Sequence, residues 1–218
     1  MLQRIKTVFW DLDGTLIDSE LVHEESAFFA TEELGFRSLI ESIPAGLENA
    51  TVFELMTGLS ATSENESQLH SWNELAIEYA LTRIKSEHRI IQSLELFNYF
   101  ASIGLPQAVV SNSSERIVRH SLKEIGILEQ CSHVFSRDSV RFGKPHPQLY
   151  LNALEFHQRT AGECLAFEDS NAGITAAKAC GINVIGIGTN TLQYVPNLAC
   201  DLASISWLEQ IQEQFFFD

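Results

Sequence analysis

The stretch Thr7-Val8-Phe9-Trp10-Asp11-Leu12-Asp13-Gly14-Thr15-Leu16 begins with residues of strand character and stops at two carboxylates and a glycine. A short β-branched and aromatic run without polar alternation marks a strand buried on both faces, the kind found inside a parallel sheet. Four further runs have this form: Ala108 to Ser111, His133 to Phe135, Cys164 to Phe167 and Val184 to Ile187. They give way to small or polar residues, Asn112, Ser136, Glu168 and Gly188, and longer stretches of helical composition lie between them. The alternation predicts an α/β fold, a Rossmann-like parallel sheet flanked by helices. Such sheets take their ligands outside the carboxyl ends of the strands, so the polar strand ends are where chemistry is expected.

The alternation is uneven. Residues 11 to 107 separate the first strand from the second, far more than one crossover helix requires. Within that gap helices are predicted over Ser19 to Leu34 (stopped by Gly35), Asn49 to Met56 (followed by Gly58) and Gln68 to Lys85, the last after the polar linker 61–67. The expected organisation is a core of residues 1–18 and 87–218 with an inserted α-helical cap domain over 19–86. In the core, helices are expected over 93–103, with Gly104 as terminator, over Glu115 to Ile125, and up to Cys180.

A chain of 218 residues has room for one such domain with a modest insertion. Fourteen Lys and Arg against 29 Asp and Glu give a net charge of −15, a field that repels nucleic acid and anionic membranes. No apolar run reaches the length of a membrane span, and the one near Met1 is too short for a signal peptide. The four cysteines form no C-x-x-C pair. A cytoplasmic protein with reduced thiols is expected, with no nucleic-acid or membrane partner, as a monomer or weak dimer. Twelve of the acidic residues lie between 19 and 86 against three basic ones, Arg37, Arg83 and Lys85, and read as a solvated helical surface. Affinity for a phosphate would then come from the core. The terminal Phe215-Phe216-Phe217 reads as the end of a helix packed on the core.

The chemistry gathers at four strand ends. Asp11 and Asp13 would point to opposite faces of an extended chain, but a turn permitted by Gly14 can aim both at one place. Carboxylates packed so closely call for a cation. Ser111-Asn112-Ser113-Ser114 offers either an ordinary helix cap or phosphate capture by Ser111 and neighbouring N–H groups. In Gly143-Lys144-Pro145-His146-Pro147 two prolines restrict the backbone around a lysine, which suits a fixed point charge. Glu168 and Asp169 end the fourth strand. Acids for Mg²⁺ and donors for phosphoryl oxygens make a coherent set.

These residues resemble the haloacid dehalogenase superfamily, specifically its phosphatases and phosphomutases with a small helical cap after the first motif. Its four motifs occur in order: Asp11-Leu12-Asp13-Gly14-Thr15, Ser111-Asn112, Lys144 within Gly143-Lys144-Pro145-His146-Pro147, and Glu168-Asp169-Ser170-Asn171-Ala172-Gly173. The resemblance implies Asp11 as nucleophile, Asp13 as general acid/base, and Ser111 and Lys144 as phosphoryl ligands. It implies Mg²⁺ on Asp11, the Asp13 carbonyl and Asp169, together with Glu168. Asn112, Ser19 and His23 are candidate substrate contacts, with the segment Gly46 to Thr51.

The expected activity is Mg²⁺-dependent hydrolysis of a small phosphorylated metabolite, a sugar or sugar-acid monophosphate, through an aspartyl-phosphate. The alternatives are a hexose phosphomutase of the β-phosphoglucomutase type and a non-catalytic phosphate-binding regulatory module. Residues 38–82 contain no Lys or Arg to hold a second phosphate, which favours hydrolysis over the mutase.

Overall fold

A computed structural model describes residues 5–36, 66–188 and 198–200. Two compact units make up the chain: Met1–Asp18 with Lys85–Asp218, and the inserted Ser19–Ile84. The expected helix at Asn49 to Met56, the segment Gly46 to Thr51, Arg37 and the terminal phenylalanines lie outside the described residues.

The first unit is built on a parallel sheet of β1 (Thr7–Trp10), β2 (Gln107–Val110), β3 (His133–Phe135), β4 (Cys164–Glu168), β5 (Asn183–Ile187) and β6 (Leu198–Cys200), in the order β3-β2-β1-β4-β5-β6. All pairings between these strands are parallel. The Rossmann-like sheet is therefore as expected, with a short sixth strand at the edge that the apolar runs did not reveal. Its order turns back at β1, where the connections run first to one side and then to the other, which places a crevice at the β1 end.

Helices in the described residues are α1 (Glu20–Glu33) and α2 (Glu66–Arg83) of the inserted unit, and α3 (Ile91–Ser102), α4 (Glu115–Glu124), α5 (Gln148–His157) and α6 (Asn171–Ala179) of the sheet unit. Successive side chains of β1 serve opposite faces. Phe9 joins Leu149, Tyr150 and Ala153 of α5 and Ile174, Ala176 and Ala177 of α6 in one buried cluster. Trp10 stacks on Phe167 at 4.2 Å between ring centroids and meets Phe97 and Phe100 of α3. β2 starts one residue before its apolar run because Gln107 is buried at no polar cost: its Oε1 accepts from Trp10 Nε1 at 2.9 Å and its Nε2 donates to the Phe97 carbonyl at 2.9 Å.

In the inserted unit α1 packs along α2 through Ala27, Ala30 and Trp72, with Leu34, Phe36, Leu69, Leu75 and Ala76 around them. The Trp72 indole donates to Thr31 Oγ1 at 3.0 Å, so its one polar atom is satisfied inside that cluster. In the sheet unit, the segment that leads to α1 and the segment that returns from α2 run side by side. Ile17 bridges Arg89 in antiparallel fashion, Asp18 N–H donates to the His88 carbonyl at 2.7 Å, and Ile90 N–H to the Leu16 carbonyl at 3.0 Å.

Candidate active site

Strand register sets the site. Trp10 pairs with Phe167 and Val109, so the residues that follow, Asp11, Glu168 and Val110, arrive level with one another at the carboxyl end of the sheet. Asp11 N–H still donates to the Phe167 carbonyl at 2.9 Å, which continues the ladder by one residue. The chain then coils tightly. The Leu12 carbonyl accepts from the N–H groups of Thr15, Leu16 and Ile17 at 3.2, 2.8 and 3.1 Å, and Gly14 takes φ +76°. A Cβ at Gly14 would lie 1.9 Å from Asp169 Oδ2, so glycine is required here both for the turn and for the approach of that carboxylate.

Lys144 is drawn into the middle. Its side chain is 3% exposed and donates to Asp11 Oδ1 at 2.7 Å, to Glu168 Oε1 at 2.6 Å and to the Val110 carbonyl at 2.7 Å. Burial alone would pull its ammonium down, but the attraction of Asp11 and Glu168 prevails and holds it above its ordinary value. Glu168 is fully buried, with Oε1 also accepting from the Tyr150 hydroxyl, while Oε2 has no partner among the described residues. A Cβ at Gly173, in the first turn of α6, would lie 1.7 Å from that Oε2.

Burial raises all three acids of the cluster. Glu168 is pushed up to about 7 and Asp169 to about 8, each by desolvation first, with Asp11 adding repulsion; Asp11 itself is raised by burial, opposed by Lys144. Among the described residues one ammonium, Lys144, binds Asp11 and Glu168, and it leaves the three carboxylates short of positive charge. Asp11, Glu168 and Asp169 offer oxygens within 4.8 Å of one another. An all-oxygen donor set of this kind, containing an orphaned buried oxygen, fits a hard divalent cation such as Mg²⁺.

The Asp13 side chain turns toward the end of β2. Its Oδ2 accepts from Ser113 Oγ at 2.7 Å and from Ser111 Oγ at 3.4 Å. The serine run divides its work: Ser114 caps α4 by accepting from Ile117 N–H at 3.4 Å, and Ser111 and Ser113 face Asp13. Asn112, expected to contact substrate, places its amide on the main chain of Lys144, accepting from its N–H at 2.8 Å and donating to its carbonyl at 3.0 Å. Thus the structure brings Asp11, Asp13, Ser111, Asn112, Lys144, Glu168 and Asp169 together at one end of the sheet.

Ser19 and His23 belong to the inserted unit, where Ser19 is buried at the start of α1 and its carbonyl accepts from the His23 N–H at 3.0 Å. Two residues escaped sequence reasoning. Ser113 carried the same signal as its neighbours, whereas Tyr150 reads as one more core aromatic of α5, betrayed only by the rule that a buried phenol needs a partner.

Residues 5–181 match the haloacid dehalogenase-like hydrolases. The chain is 29% identical to a phosphoglycolate phosphatase of Photobacterium profundum, over 84% of this chain and 83% of that protein. It is 24% identical to a 6-phosphogluconate phosphatase of Escherichia coli, over 84% and 82% respectively, and 25% identical to a β-phosphoglucomutase of Bacillus subtilis, over 91% and 88%. Among solved structures a β-phosphoglucomutase from Clostridium difficile shares the fold with a TM-score of 0.76 at 21% identity, covering 97% of each chain. With the acid cluster at the switch point of a parallel sheet and a match that spans the residues from β1 to α6, the chain belongs to the haloacid dehalogenase-like hydrolase family.

Proposed function

We propose that this haloacid dehalogenase-like phosphoric monoester hydrolase acts on a small sugar or sugar-acid monophosphate through an aspartyl-phosphate on Asp11. The observation that carries the reading is the convergence of Asp11, Glu168 and Asp169 with the buried Lys144 ammonium bonded to the first two. Asp11 Oδ attacks phosphorus, the bond to the ester oxygen breaks, and Asp13 gives its proton to the leaving alkoxide. Asp13, now a carboxylate, then takes a proton from water as that water attacks the phosphoryl group, releasing inorganic phosphate and restoring Asp11. Ser113 and Ser111 hold the Asp13 carboxyl in place for both transfers.

Asp11, the Asp13 carbonyl, Asp169 and Glu168 would hold Mg²⁺, which when bound supplies Lewis-acid neutralisation of the phosphoryl charge. Lys144 has all three of its protons engaged by Asp11, Glu168 and the Val110 carbonyl, so it reaches a phosphoryl oxygen by sharing or giving up one of these. Once the phosphoryl group is on Asp11 that carboxylate has lost its charge, and the ammonium is freed where the negative charge has moved.

The phosphorylated-acid side of this substrate class is supported by the names of relatives, a phosphoglycolate phosphatase and, for a sugar acid, a 6-phosphogluconate phosphatase. Specificity among such substrates is assigned to the inserted unit, with Ser19 and His23 as its contacts. A phosphate-release screen over sugar and sugar-acid monophosphates, with Mg²⁺ and with chelator, tests the reading. Stoichiometric phosphate that requires Mg²⁺ is expected. An isomerised sugar phosphate as main product would favour the phosphomutase, and no turnover of any monophosphate would favour a binding module.

A further inference from the structure

Tyr150 belongs to none of the four strand-end motifs, yet its hydroxyl reaches into the acid cluster. The residue is fully buried on α5, its ring 6.1 Å from that of Phe9 and 5.5 Å from Lys144 Nζ. The phenol donates to Glu168 Oε1, the oxygen that also accepts from Lys144 Nζ at 2.6 Å. One oxygen of Glu168 thus has two donors, and the other, equally buried, has none among the described residues. The last torsion of a glutamate side chain is soft and nearly two-fold, so Lys144 alone could bind either oxygen. A half-turn only exchanges two equivalent oxygens, but with the phenol present a partial rotation that turns both oxygens toward Lys144 gives up a buried hydrogen bond, so the carboxylate plane is held.

We infer that Tyr150 is a positioning residue that pins Glu168 by Oε1 and so reserves Oε2 for the divalent cation. The inference rests on the Mg²⁺-dependent reading above. Partners that orient metal-binding side chains typically change metal affinity by 10- to 100-fold, and a single neutral donor is expected at the lower end of that range.

Tyr150→Phe tests it, since the ring and its place under Lys144 are kept and one oxygen is lost. Mn²⁺ binding to the full chain without substrate, followed by electron paramagnetic resonance, is expected to weaken roughly tenfold. In a Glu168→Gln background the same change should cost less than about twofold, because its route to the metal is gone. The Mg²⁺ concentration for half-maximal phosphate release should rise in parallel, with the substrate KM held. A parent chain that binds Mn²⁺ beside a Tyr150→Phe chain that binds it equally well would overturn the positioning role, as would an undiminished effect in the Glu168→Gln background. A merely structural tyrosine would lower the melting temperature and leave Mn²⁺ affinity unmoved. A parent chain that binds no Mn²⁺ would instead remove the metal-dependent reading on which the inference stands.

Discussion

The Asn112 side chain grips the main chain of Lys144 at both ends, with N–H to Oδ1 at 2.8 Å and Nδ2 to carbonyl at 3.0 Å. The fit depends on Gly143, where a Cβ would stand 2.5 Å from Asn112 Oδ1. On the proposed mechanism, an amide spent on the backbone of Lys144 would act on the phosphoryl step that every substrate shares. Asn112→Ala should therefore reduce kcat/KM roughly tenfold on a generic aryl phosphate and by the same factor on a sugar phosphate. Steady-state kinetics on both substrates decide the matter, and a loss confined to the sugar phosphate would return Asn112 to substrate binding.

Asp11→Asn keeps the volume of the proposed nucleophile and removes its charge. Phosphate release should fall by on the order of a thousandfold or more. The melting temperature should stay within about 5 °C of the parent, because a buried carboxyl raised by desolvation is replaced by a neutral group. Near-normal turnover in this variant would rule out the covalent intermediate.

In chelator the chain should lose stability as pH rises. Glu168 and Asp169 hold their protons up to about 7 and 8, whereas in the unfolded chain such carboxyls ionise near 4. Between those limits the folded state binds more protons than the unfolded one, so the unfolding free energy falls with increasing pH. Thermal unfolding should show a drop on the order of 5 °C between pH 5.5 and 8.5. Mg²⁺ should restore more at pH 8.5 than at 5.5, since the ion takes ionised carboxylates. Melting temperatures that climb over this range in chelator would contradict the buried acid cluster.

Gly14 and Gly173 each leave room for one carboxylate, with a Cβ standing 1.9 Å from Asp169 Oδ2 and 1.7 Å from Glu168 Oε2. Gly14→Ala and Gly173→Ala should both weaken Mn²⁺ binding by roughly tenfold or more. Gly104→Ala provides the control, since it carries a similar φ of +72° with nothing within 4 Å of the added carbon. It should cost about 1 kcal/mol of stability and leave metal affinity alone. Calorimetric titration of the three variants separates displaced carboxylates from backbone strain.

Much of this arrangement is legible in the chain itself. Five of the six strands stand out because a strand buried on both faces has few polar residues to break its run, and Asp11, Ser111 and Glu168 mark where the run must stop. β6, Leu198–Cys200, is as short as β3 but offers Leu-Ala-Cys where β3 has Val134 and Phe135, residues of stronger strand preference. The helix α5 is hidden for another reason: its buried face, Leu149, Tyr150 and Ala153, is narrow and follows directly on a proline-rich loop. The destinations of side chains are harder still to read. Asn112 is a polar residue at a strand end like its neighbours, and only the placement of the Lys144 loop across 32 residues of sequence makes it a clamp. Tyr150 and Glu168 lie 18 residues apart on different elements, and nothing in either segment announces that they meet.

The parallel sheet also dictates when the centre comes into being. Lys144 lies 133 residues beyond Asp11, and β1 finds one of its two neighbours only when Cys164–Glu168 has been made. A growing polypeptide thus carries Asp11, the proposed nucleophile, as an ordinary solvated carboxylate until Lys144 and the acids of β4 have been made. Closing so long a loop is entropically costly and slow, and it is repaid only when β4 docks against β1. On the metal-dependent reading proposed above, uptake of a divalent ion would report a late stage of assembly. A nascent or truncated chain that ends before Asp169 should neither bind the ion nor spend phosphate esters during synthesis.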